Sequence, residues 1–181
     1  MDYLSGVITH AKYNHWFNER LYDASERLTT EERSMDQAAF FGSIIGTLNH
    51  ILVGDVIWLR RFLQADIPAN ELLAADALAW LPNPTRTDEI PFEDWDDLRP
   101  ARAGVDKLIL DWTDALHSED LDYSLSYVNT RGRPFKRTLG LLLLHFFNHQ
   151  THHRGQATTL LFQNGVDPGV TDLIAMLPND E

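Results

Sequence analysis

The stretch that most constrains this chain is His145-Phe-Phe-Asn-His149-Gln-Thr-His152-His153-Arg-Gly-Gln156, in which four of the eight histidines fall within nine residues. Residues four apart on a helix project from one face, so His149 and His153 stand one turn apart, within reach of one cation. His145/His149 and His149/His152 offer the same chance, and the apolar pattern decides between them. With His149 at zero on a helical wheel, Phe135, Leu139, Leu142, Phe146, Ala157 and Leu160 cluster at roughly 20° to 80°. His153 falls inside that arc and His149 at its edge, while His145 and His152 lie toward the opposite rim. A single histidine on an apolar face is ordinarily a hydrogen-bonded core residue. Two stacked imidazoles must both be desolvated and kept neutral, which a shared metal explains at once. The pattern is not that of an H-E-x-x-H protease, because the position after the first histidine is Gln150, which cannot act as a base.

Upstream, the periodicity predicts three more helices. The first spans Tyr3 to Leu28, and its apolar stripe includes His15 and Asn18 with Asn14 at the margin, while His10 lies on the solvated side. His15 and Asn18 read either as ligands, as groups that orient a ligand, or as core residues with hydrogen-bond partners. The second runs from an N-cap at Ser43 to about Leu63 and is apolar almost all round, as suits a helix buried between others. On it Gly46, His50 and Gly54 form one strip. Interior glycines cost about 1 kcal/mol each against alanine, so they mark close helix packing or room for an imidazole, and His50 becomes the natural third ligand. Residues 65–91, with four prolines, read as a long irregular connection that can serve as a lid. The third helix, from about Asp94 to Leu116, tolerates Pro100 only in its first turn, and its acidic start complements the helix dipole. Tyr123, Leu125 and Tyr127 alternate before Asn129–Gly132 and suggest a short hairpin. The last helix ends at Asn164 before Gly165, and the tail from Val166 to Glu181 folds back over the helices.

A length of 181 residues with 44% hydrophobic content suits one domain over the whole chain. Fifteen basic against 27 acidic residues give a net charge of −12, which argues against nucleic acid and anionic membrane partners. There is no cysteine, hence no thiolate ligand or cysteine nucleophile, and any thiol must come from outside. No apolar run reaches spanning length and the N-terminus has no signal-peptide pattern, so the expected location is cytoplasmic.

His149-Gln-Thr-His-His153-Arg-Gly-Gln156, Leu48-Asn-His50-Ile-Leu-Val-Gly-Asp55-Val-Ile-Trp58 and Tyr13-Asn-His-Trp16-Phe-Asn18 resemble the DinB family, within the DinB/YfiT-like group of metalloproteins. The resemblance implies an all-α four-helix bundle of up-down-down-up topology with a long crossover, commonly a homodimer. It also implies a divalent metal on His50, His149 and His153. From their own positions in the sequence, Asn18, Gln156 and His15 are candidates for orienting ligands or touching substrate. Zinc or nickel comes first, then iron, copper or manganese. The expected function is a metal-dependent enzyme that activates water or a low-molecular-weight thiol on a small-molecule substrate. The other readings are a hydrolase or a stress-induced binder of metal or ligand without catalysis. His15 is the one further residue that could close the metal site.

Overall fold

A computed structural model describes residues 2–71 and 75–179. Among them, four long helices carry most of the structure: α1 (Tyr3–Glu26), α3 (Ile44–Phe62), α5 (Trp95–Asp114) and α6 (Leu139–Gln163). Two short helices, α2 (Thr30–Ser34) and α4 (Ala75–Leu78), lie in the connections. A hairpin of β1 (Ser124–Val128) and β2 (Pro134–Thr138) precedes α6. The start signals are local and legible. Asp2 accepts a hydrogen bond from the Ser5 amide, Thr29 and Glu32 form a reciprocal capping box, and Ser43 caps α3 through the Gly46 amide. After α6, Gly165 takes φ +72°, a left-handed conformation that ends the helix.

Helix α1 packs against α5 and α6, and α3 packs against α6 and α5. One apolar core runs from Val7 on α1 to Leu161 on α6. Every residue of α3 from Ile44 to Leu59 is buried, in keeping with its all-round apolar pattern. The connection from α3 to α5 is tied down rather than loose. Arg60 donates to the carbonyls of Leu78, Leu81 and Pro82, and the Asn49 amide pairs with both backbone polar groups of Phe92. Residues 72–74 of the expected irregular connection, and residues 1, 180 and 181 at the ends, lie outside the described residues.

Three expectations need correction here. Phe135 was placed on the wheel of the last helix, yet it pairs with Tyr127 across the hairpin, and α6 starts only after the Thr138 N-cap. Pro100 is the sixth residue of α5, not part of its first turn, so the helix gives up one internal hydrogen bond there. His10 is half-buried rather than solvated, its Nδ1 on the Gly6 carbonyl at 2.8 Å. In the hairpin, Leu125 and Tyr127 face the core as the alternation requires. In the tail, Leu173 and Met176 pack on the core while Ile174 is exposed, and Tyr13 donates to the Thr171 carbonyl at 2.7 Å. No described helix is long and apolar enough to cross a membrane.

Candidate metal centre

The packing of α3 on α6 brings His50 against the two histidines spaced one turn apart. The Nε2 atom of His50 lies 3.2 Å from that of His149 and 3.1 Å from that of His153. Among the described residues, these three are the group of histidine, cysteine or carboxylate side chains whose donor atoms converge as a cation requires. For metal–nitrogen bonds of about 2.0–2.1 Å, two ligands at a tetrahedral angle stand roughly 3.3–3.4 Å apart. The observed separations are close to that.

The surrounding hydrogen bonds decide where the imidazole protons are. His50 Nδ1 lies 2.6 Å from the Thr87 carbonyl, which can only accept, so Nδ1 carries the proton and Nε2 the lone pair. His153 Nδ1 donates to the side-chain carbonyl of Gln156 at 2.8 Å, which leaves its Nε2 unprotonated as well. Two lone pairs therefore face each other at 3.1 Å with no hydrogen between them. Burial keeps the rings neutral. It pushes His50 down to about 4 and His149 to about 3, with the other histidines adding to the effect on His149, and it lowers His153 too.

The two glycines of the α3 strip divide between them the two explanations that their spacing allowed. A Cβ on Gly54 would stand 2.8 Å from Cε1 of His149, so this glycine makes room for an imidazole. A Cβ on Gly46 would collide with the Phe41 carbonyl oxygen, so this one admits the backbone that precedes α3. That close approach lays Phe41 flat on His50, at 3.8 Å between ring centres and 17° between planes, and steeply inclined to His153 at 5.4 Å. One side of the site is thereby walled by an aromatic ring.

Of the other residues singled out from the sequence, Gln156 is at the site, whereas Asn18 and His15 are elsewhere. Asn18 is buried and donates to Asp106 on α5. His15 sits beside Glu19, its side chain more than a third exposed, and does not join the three converging histidines. The expectation that His15 could close the site is thus overturned: its helix stripe turns toward α5, not toward the α3–α6 seam. His145 packs edge-on against Trp58, and His152 is exposed beside His153. Gln150 is fully buried and donates to Asp55 at 2.8 Å, pointing away from the triad.

That last bond belongs to a second buried polar cluster which the sequence reading missed. Arg102 on α5 donates to Asp55 at 2.5 Å and lies 3.0 Å from Asp106. Asp106 also accepts from Asn14 and Asn18, and Arg154 on α6 donates to Asn14. All of these side chains are essentially inaccessible. A signal was present in the sequence: Asp55 is a carboxylate on a helix apolar on every side, and such a group needs an internal partner.

A model of the DinB family matches residues 4–180, nearly the whole chain. The chain belongs to the DinB family. Among curated proteins, Protein DinB of Bacillus subtilis (strain 168) is 29% identical over 161 residues, covering 89% of this chain and 87% of that protein. No solved structure matches the chain. The three histidines, Thr87 and Gln156 all fall within the region matched to the family.

Proposed function

We propose that His50, His149 and His153 hold one divalent metal ion with an open coordination position, and that this DinB-family protein is a metal-dependent enzyme acting with a low-molecular-weight thiol on a small electrophilic substrate. The observation that carries the reading is the pair of unprotonated Nε2 atoms of His50 and His153, 3.1 Å apart, with His149 Nε2 alongside. Such a pair repels unless a cation lies between. An ion bound there supplies Lewis-acid activation of water or of a thiol; an all-imidazole donor set suits zinc, nickel, copper and iron, and zinc or nickel is the ion proposed.

The chain's own residues do the positioning. Thr87 and Gln156 hold protons on the outer nitrogens of His50 and His153, which fixes both lone pairs inward. Phe41 excludes water from one face. No carboxylate converges with the three imidazoles among the described residues, and Gln150 points elsewhere. A bound divalent ion would bring water to a pKa of about 7 and would deprotonate a thiol, ordinarily near 8.5, more readily still. This favours the thiol-dependent transferase over a hydrolase. A binder without catalysis is the reading to which a lack of turnover would lead.

The same proposal takes the four long helices as one domain, a four-helix bundle in up-down-down-up order with the α3–α5 connection as its crossover. It further takes the protein as a cytoplasmic homodimer. The apolar cleft between α1 and α6, bordered by Val7, Leu143 and the exposed Leu144, supports a partner copy. Metal analysis of protein purified without an affinity tag should find one ion per chain. The loaded protein should then turn over electrophiles only when glutathione, bacillithiol or mycothiol is present. Turnover in water alone would replace the transferase by the hydrolase, and protein left metal-free after incubation with zinc and nickel would end the proposal. Light scattering that finds a monomer would remove the dimer.

A further inference from the structure

The carbonyl that holds the His50 proton outward belongs to no helix. Thr87 lies exposed in the connection between α3 and α5, with its carbonyl oxygen 2.6 Å from His50 Nδ1. On an exposed turn a carbonyl is satisfied by water as well as by an imidazole, so its direction must be fixed by other contacts. Glu89 supplies them. One of its carboxylate oxygens accepts from the backbone amides of Thr85 and Arg86, both at 2.8 Å, and from the Thr85 hydroxyl at 3.1 Å. The end of the segment 85–89 is thereby tied to its beginning, with Thr87 at the middle of the closed turn. Hydrogen bonds to a carboxylate are roughly twice as strong as those between neutral groups. Arg86 and Asp88, on either side of Thr87, also pair, but both are mostly exposed and such a pair contributes little.

A second tie sets this turn against the helix. Asn49, the residue before His50 on α3, donates to the Phe92 carbonyl at 2.9 Å and accepts from the Phe92 amide at 3.1 Å. Two consecutive residues of α3 thus hold the connection at Phe92 and at Thr87, and Glu89 lies between those points. The Glu89 carboxylate is not among the groups that converge on the site, so it reaches the metal centre only through the Thr87 carbonyl. What that carbonyl decides is a tautomer. A neutral imidazole carries one proton on either nitrogen, and an acceptor at Nδ1 keeps it there, leaving the lone pair on Nε2. With the proton on Nε2, His50 could not ligate and would instead donate to His149 or His153, whose Nε2 atoms stand 3.2 and 3.1 Å away.

We propose that Glu89 is a positioning residue for the metal centre: by closing the 85–89 turn it aims the Thr87 carbonyl at His50 Nδ1 and so keeps the His50 lone pair turned toward the ion. The inference rests on the metal reading above, but half of its test needs no metal. Long-range nitrogen–proton NMR on the metal-free, full-length protein at pH 7 reads the tautomer of each histidine. The parent should show His50 and His153 protonated at Nδ1 alone. In Glu89→Ala, His50 should become a mixture of tautomers, while His153, held by Gln156 instead, stays as it was. Zinc affinity, measured by competition with a chromophoric chelator, should fall by about ten- to a hundredfold in Glu89→Ala, the range for a lost orienting partner. Glu89→Gln keeps an oxygen that can accept from the same two amides, and should recover the single tautomer and most of the affinity. An unchanged His50 tautomer in Glu89→Ala, an equal disturbance of His153, or a loss in Glu89→Gln as large as in Glu89→Ala would each overturn the proposal. A parent protein that takes up no zinc would end the metal reading, and the His50 tautomer in Glu89→Ala would still decide the role of Glu89.

Discussion

The protein buries two polar clusters a few residues apart along the same helices, and they meet the cost of desolvation in opposite ways. In the Asp55–Arg102–Asp106 cluster each charge finds its counter-charge within the chain. At the histidines nothing within the chain compensates: lone pairs converge and both flanking protons are turned outward. A cluster closed on itself holds helices together, whereas one left electrostatically incomplete is a receptor for a cation. Gln150 and His149, adjacent on α6, fall on either side of this division.

The sharpest test of the contrast is to break each cluster once. His153→Ala should abolish binding of zinc or nickel in equilibrium dialysis but leave the denaturation midpoint of the metal-free protein unchanged or slightly raised, because a repulsion is relieved. Asp55→Ala should cost about 3–5 kcal/mol in urea unfolding, since it leaves Arg102 buried with half its partners gone. Metal retained by His153→Ala, or a harmless Asp55→Ala, would dissolve the distinction.

Gly54→Ala probes the seam between the clusters. The added methyl must push the His149 ring, and metal affinity should fall by about ten- to a hundredfold, the range seen when ligand orientation is lost. Fold stability should change little, because alanine regains about 1 kcal/mol of helix propensity against the strain. Calorimetric titration beside urea unfolding separates the two.

Acid should act on the clusters with opposite sign in the metal-free protein. His50 titrates near 4 when folded and near 6.5 when unfolded, so between those values the unfolded chain binds more protons and stability falls as pH drops. Burial raises Asp106 to about 6 from 3.8, so over that window the folded chain binds more protons and stability rises as pH drops. Asp106→Asn should therefore steepen the acid loss of stability between pH 6 and 4, and His50→Gln should flatten it. Unfolding curves for both variants that run parallel to the parent would refute the assignment. The smallest effect is expected at the rim, where alanine at His145 or His152 should leave metal stoichiometry intact by elemental analysis.

How much of this could be read without the fold depends on how far apart the partners lie along the chain. The four long helices, their caps at Ser43 and Gly165 and the inward pair His149 and His153 all follow from helical period and near-neighbour chemistry, which act within a turn or two. The same period placed His50 between two glycines and left open what each made room for. Even locally the period misled at Phe135, where an apolar residue fitted the wheel but belongs to a strand. What the sequence could not contain is the partner of each inward side chain. Only the packing of α3 on α6 turned Gly54 toward His149, and only the path of the α3–α5 connection set Thr87 on His50, across 37 positions. Likewise, only the meeting of α1 with α5 drew Asn18 to Asp106 and kept His15 from the triad. A helix fixes which way a residue points through its own covalent geometry. What stands opposite is decided by the relative placement of helices, a property of the whole packed core.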